Sequence, residues 1–157
     1  NIHRLVLSMR NALNYINICS SPEIVIRLRI DTEVYNFDIN THLDNNTYYS
    51  SPQCGGISDN IGYSDYKTFL RVWNINNIFV ESHLGNNNEK ILLKWCQKNK
   101  INIQYFNYIY MLHQSNDELF DGVPQWSKRS KVFKYNKYDG RLVVLDDTGA
   151  VKQYWAF

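Results

Sequence analysis

The side chains best suited to chemistry gather near the end of the chain. Trp126, Tyr135, Tyr138, Arg141, Tyr154 and Trp155 fall within 30 residues, with Asn and Asp between them. A sugar presents apolar C–H faces edged by hydroxyls. Its site therefore needs flat aromatic platforms beside groups that donate and accept hydrogen bonds. These six residues supply both and form the candidate glycan-binding set. The same stretch suits a second ligand. Between 126 and 141, Lys128, Arg129, Lys131, Lys134, Lys137 and Arg141 stand against Asp139 alone, a local +5 in a chain of net charge +2. Such cations could follow phosphates while Trp126, Phe133, Tyr135 or Tyr138 stack on bases, which is the alternative of a nucleic-acid-binding module. The remaining 11 basic and 14 acidic residues sum to −3, so no broad basic field supports that alternative.

Other chemistry is poorly provided for. His3, His42, His83 and His113 are widely spaced, and only His113, Gln114 and Ser115 have the His-x-Ser form that a two-histidine phosphoesterase needs twice. No two His or Cys stand at zinc-ligand spacing. Asp146 and Asp147 are adjacent and would face opposite ways on a strand, while Asp117, Glu118 and Asp121 lie in a turn-rich stretch. Asp147, Thr148 and Gly149 faintly suggest a sialidase Asp-box, but Trp155 follows too late. There is no serine or cysteine nucleophile motif and no glycine-rich phosphate loop. The expectation is a binding domain with no catalytic residue, no metal and no cofactor.

The elements that must position the aromatic set are readable in outline. Lys131–Tyr135, Arg141–Leu145 and Val151–Phe157 are short β-type runs separated by turns containing Asp139-Gly140 and Asp146, Asp147 and Gly149. That pattern predicts an antiparallel meander. Upstream, Ile2, Leu5, Val6, Met9, Ala12, Leu13 and Ile16 recur at helical spacing and predict a helix over 2–17. Ile24–Ile30 alternates, with Ile24, Ile26, Leu28 and Ile30 as the inward set. With Val34–Ile39 it reads as a hairpin. Residues 40–66 show no periodicity and read as a long loop, although their interleaved tyrosines argue against disorder. Lys67–Trp73, Ile78–His83, Glu89–Cys96 and Ile101–Leu112 read as further strands between Asn-rich turns. The predicted fold class is α+β, mainly β: one large twisted antiparallel sheet wrapping the N-terminal helix and burying Leu5, Val6, Met9, Leu13 and Ile16.

Length and composition are consistent with this. The chain has 157 residues, enough for a single domain over 1–157, with 44% hydrophobic and 20% charged residues. Its 20 asparagines and 12 tyrosines match the codon bias of an AT-rich genome. Cys19, Cys54 and Cys96 form neither a disulfide framework nor a zinc site, which fits a reducing compartment or one optional bridge. No apolar run approaches the ~20 residues of a membrane span, and no signal peptide is present. The start at Asn1 reads as a piece of something longer.

The order of features from Lys67 onward resembles the distal, trypsin-released head domain of the rotavirus spike protein. The matching features are the runs Lys67–Trp73 and on to Lys94, the aromatic run from Ile101, and the turn Gly122-Val123-Pro124. They continue with Lys131–Tyr135, Asp139-Gly140 and Lys152, Gln153, Tyr154 and Trp155. The likeness covers about the last 90 residues and not the first 66. The better-known group is a galectin-like β-sandwich, the alternative fold here, with more strands after the aromatic pair. This chain would then come from a divergent rotavirus group. The resemblance implies a viral attachment lectin on the virion outer capsid, made in the host cytoplasm. Its partners would be host cell-surface glycans and the remainder of the spike, without membrane insertion. Tyr154 and Trp155 would occupy the position of the family's groove-lining aromatic pair.

Overall fold

Residues 2–19, 22–29, 32–37, 39, 42–106, 108–112, 119–120, 123–124, 131–136, 141–145 and 151–156 are described by a computed structural model. The apolar positions spaced three and four apart at the N-terminus form a helix, α1, Ile2–Cys19. Val6 and Leu13 are buried on it, and Leu5, Met9 and Ile16 are half-buried. The predicted helix and its inward face are therefore present. The chain divides into two compact units, residues 1–27 with 40–104, and residues 28–39 with 105–157. The α+β class is observed.

The first unit holds a four-stranded sheet. Its strands are β1 (Ile24–Leu28), β3 (Thr47–Gln53), β4 (Gly56–Asp65) and β5 (Asn102–Tyr105), in the order β1-β4-β3-β5. Helices α2 (Tyr66–Trp73), α3 (Asn77–Glu81) and α4 (Asn88–Lys98) follow β4. Helix α1 packs on α2 and α3, and α4 packs on β4. Four helices in this unit set it apart from an all-β galectin-like sandwich.

The second unit holds a five-stranded sheet. To β2 (Thr32–Phe37) it adds β6 (Tyr108–Leu112), β9 (Lys131–Asn136), β10 (Arg141–Leu145) and β11 (Val151–Ala156). Its order is β11-β10-β9-β6-β2, with every neighbouring pair antiparallel. The predicted C-terminal meander is present as β9-β10-β11. A short pair, β7 (Leu119–Phe120) with β8 (Val123–Pro124), is also formed. Two sheets of four and five strands, one in each unit, stand where one large sheet was expected.

Four sequence-based assignments are corrected. Residues 40–66 are not one long loop. They contain β3 and β4, a hairpin closed by Cys54 and Gly55, both at positive φ (49° and 77°), as a tight two-residue turn requires. Both strands are buried along nearly their whole length. A strand covered on both faces loses the alternation that marks a half-exposed one, so no period was visible.

The runs 67–73, 78–83 and 89–96 are not strands but lie in and around α2, α3 and α4. Their apolar residues fit a helix: Phe69, Val72 and Trp73 are buried on α2, and Ile91, Leu92, Trp95 and Cys96 on α4. The polar residues read as turns are their N-caps. Asp65, Asn76 and Asn87 accept from the backbone N–H of Thr68, Phe79 and Lys90 at 2.9, 2.8 and 2.9 Å.

The hairpin expected from Ile24–Ile39 does not form, because β1 joins β4 and β2 pairs with β6. The inward face of β1 is also reversed. Val25 is 8% exposed, while Ile26 and Leu28 are 40% and 50% exposed. Arg27 lies on the same side as Val25. Its guanidinium sits 4.8 Å from the centre of the Trp73 ring, Nη1 donates to Met9 Sδ at 2.9 Å, and Nε donates to the Asp59 carbonyl. A satisfied arginine lying along an apolar surface defeats a polarity-based reading of strand faces.

Candidate functional site

The candidate glycan-binding residues fall on the second unit's sheet, with two exceptions. Trp126 and Tyr138 lie outside the described residues. Tyr135 is on β9, Arg141 opens β10, and Tyr154 and Trp155 are on β11. Backbone register places Leu142 opposite Trp155 on one side and opposite Tyr135 on the other. Tyr135 is in turn opposite Tyr108 of β6. One row of the ladder therefore reads Trp155, Leu142, Tyr135, Tyr108. The next row on one side reads Ala156, Arg141, Asn136, and on the other side Tyr154, Val143, Lys134, Ile109. Residues far apart in sequence are thus brought into one row of ring positions, while the flanking rows with Arg141, Asn136, Lys134 and Tyr154 alternate to the other face of the sheet. Tyr154 occupies a different row from Trp155.

The first unit contains titratable groups with a different character. Tyr48 is fully buried between β4 and α2, edge-on to Phe69 at 5.9 Å. Burial raises its hydroxyl pKa above the ordinary phenol value, against the lowering effect of the Arg27 charge. Neither its hydroxyl nor the Trp73 indole N–H makes a hydrogen bond of good geometry, although the indole lies close enough to favour the phenolate slightly. Burial likewise pushes the Cys96 thiol from 9.0 up to about 12, with Arg71 opposing. Such a thiol stays protonated at neutral pH and is a poor nucleophile. A buried polar strip runs along β3 and β4. Ser58 donates to Gln53 Oε1 at 2.7 Å, Asn60 donates to the same oxygen at 3.0 Å, and Ser50 donates to the Ile61 carbonyl at 3.0 Å. These groups satisfy one another and close the interior.

The described histidines are dispersed. His3 is on α1, His42 precedes β3, and His83 follows α3 with its Nδ1 2.9 Å from the Phe79 carbonyl oxygen. His113 lies outside the described residues. Among the described residues no three His, Cys, Asp or Glu side chains stand together as a metal site. Among them also, no helix is long and apolar enough to cross a membrane.

Sequence reading did not find the cleft between α1 and α2. Arg10, Leu13, Asn14, Leu70, Arg71, Trp73 and Asn74 line a space of about 330 Å³. The signal lay in Arg10, Asn14 and Asn74, polar residues flanking the buried stripes of two helices that had to meet. It was lost because α2 was read as a strand.

No family model, no curated protein and no solved structure matches this chain.

Proposed function

We propose that this chain is a non-catalytic glycan-binding domain, the distal head of the spike protein of a divergent rotavirus group, carried on the virion outer capsid. The observation that supports the reading is the ladder row that sets Trp155 and Tyr135 on either side of Leu142 and continues to Tyr108, positions that share one face of the sheet. Ring positions on a hydrogen-bonded sheet are held at fixed spacing, which suits a rigid polyol. Lys134, Asn136 and Arg141 stand in the two flanking rows, which alternate to the opposite face of the sheet. In this reading the five-stranded sheet is the binding sheet. A single site of this kind binds weakly, and many copies on a particle supply avidity.

A glycan array probed with the multivalently displayed domain tests the proposal. Binding to a defined set of glycans is expected, with loss of signal in the Tyr135→Ala/Trp155→Ala double variant. No glycan bound above background would overturn it. Binding that collapses steeply with added salt and is competed by single-stranded oligonucleotide would instead favour the nucleic-acid alternative, since phosphate contacts release counterions.

A further inference from the structure

The cleft between α1 and α2 has no part in the proposed glycan site and belongs to the other unit. Its floor is apolar: Trp73 is 0% and Leu13 is 3% exposed, and Leu70 is half-buried. Its rim is polar, formed by Arg10, Asn14 and Asn74. No acidic residue lines it.

Arg10 is anchored but underused. Its Nη2 donates to the Ile75 carbonyl just beyond α2, which fixes the guanidinium against the cleft. Its Nε is out of solvent and has no hydrogen-bond partner. A desolvated donor without an acceptor is costly, and most of all on a charged group. The second arginine is differently placed. Arg71 gives Nη1 to Asn46 Oδ1 and Nη2 to the Asn99 carbonyl at 2.7 Å, so both of its terminal nitrogens are engaged by protein groups. Arg10, by contrast, is the arginine whose desolvated Nε has no hydrogen-bond acceptor.

We infer that this cleft is a binding site for a small organic carboxylate carried on an apolar body. The guanidinium presents paired N–H donors in a plane, the geometry that a carboxylate accepts from two oxygens at once. The amides of Asn14 and Asn74 hold further donors at the mouth. The apolar body rests on Leu13, Leu70 and Trp73, where water is displaced from nonpolar surface. A neutral ligand of the same shape leaves the arginine uncompensated and binds less well. The volume suits one ring and a short chain, at the lower end of small-molecule sites.

The test uses 3-phenylpropionate as probe and 3-phenylpropanamide, its neutral counterpart, as control. Each is titrated into the ¹⁵N-labelled chain and followed by amide and indole N–H shifts. Saturable shifts at Arg10, Leu13, Asn14, Trp73 and Asn74 are expected with the acid, and far smaller ones with the amide. Arg10→Lys keeps the charge and the apolar stem but loses the planar fork, so affinity should fall about tenfold with the rest of the spectrum unchanged. The inference is overturned by non-saturable shifts, by equal response to acid and amide, by shifts mapping elsewhere, or by unaltered affinity in Arg10→Lys. Should that variant fail to fold, Asn14→Leu decides. Asn14 is exposed, so the fold should survive, and undiminished acid binding would refute the site. None of these outcomes depends on whether the second unit binds glycans.

Discussion

Cys96 shows how one buried atom ties stability to pH. Its thiol is pushed from 9.0 to about 12 by burial, so above pH 9 the unfolded chain loses a proton that the folded chain keeps. The unfolded state then binds fewer protons, and stability falls as pH rises, by up to about 1.4 kcal/mol per pH unit from this group. Below pH 9 the contribution is fully present. Tyr48, Tyr49 and Tyr105 are shifted the same way, first by burial, and extend the decline above their ordinary value of 10.0. Urea midpoints measured from pH 8 to 10 should fall for the parent chain from about pH 9. Cys96→Ala should be less stable throughout, from the cavity it leaves, but flat until the tyrosines begin to titrate. Equal slopes for the two proteins would show that the thiol is not held in its neutral form. None of this was legible in the sequence, where Cys96 appeared only as one of three unpaired cysteines. Its neighbours on α4 and β4 had first to be known.

Asn87 joins two elements. Its Oδ1 caps α4 at Lys90, and its Nδ2 donates to the Cys54 carbonyl in the β3–β4 turn at 3.0 Å. Beside it, Asn88 donates to Asp59 Oδ2 at 3.2 Å. The backbone at Glu89 presses so close to Gly56 that a Cβ there would stand 2.1 Å from it. The start of α4 is thus seated on the hairpin turn. Asn87→Asp should keep the cap and lose the turn contact, costing about 1 kcal/mol, while Asn87→Ala should lose both and cost about 2 kcal/mol. Chemical denaturation measures both, and equal losses would mean that the turn contact contributes nothing.

The same asparagines explain what was misread at this scale. Asn76 and Asn87 precede apolar residues at helical spacing, a start signal for a helix, yet in a chain with 20 asparagines they resembled ordinary turns. Helix α1 and the meander β9-β10-β11 were legible because each keeps a clear period or turn signal. Strands β3 and β4 were not, because burial on both faces removes the period. Strand β1 was inverted because Arg27 is turned inward against Trp73, where hydropathy alone cannot anticipate a partner.

At the scale of the whole molecule, two units built from different elements share one chain. The first pairs helices with a four-stranded sheet and carries the cleft at Arg10. The second is built on five antiparallel strands and carries the row of Trp155 and Tyr135. From sequence alone the aromatic set could be listed but not arranged. The register now separates Tyr154 from Trp155 by one row and unites Trp155 with Tyr135, more than a dozen positions away. The proposal that the second unit recognises glycans is tested most directly by chemical-shift mapping with an oligosaccharide chosen from the array. Shifts should concentrate on the backbone amides of 131–136, 141–145 and 151–156 and leave α2 and α4 unmoved. Shifts confined to the first unit, or none at saturating sugar, would contradict the account.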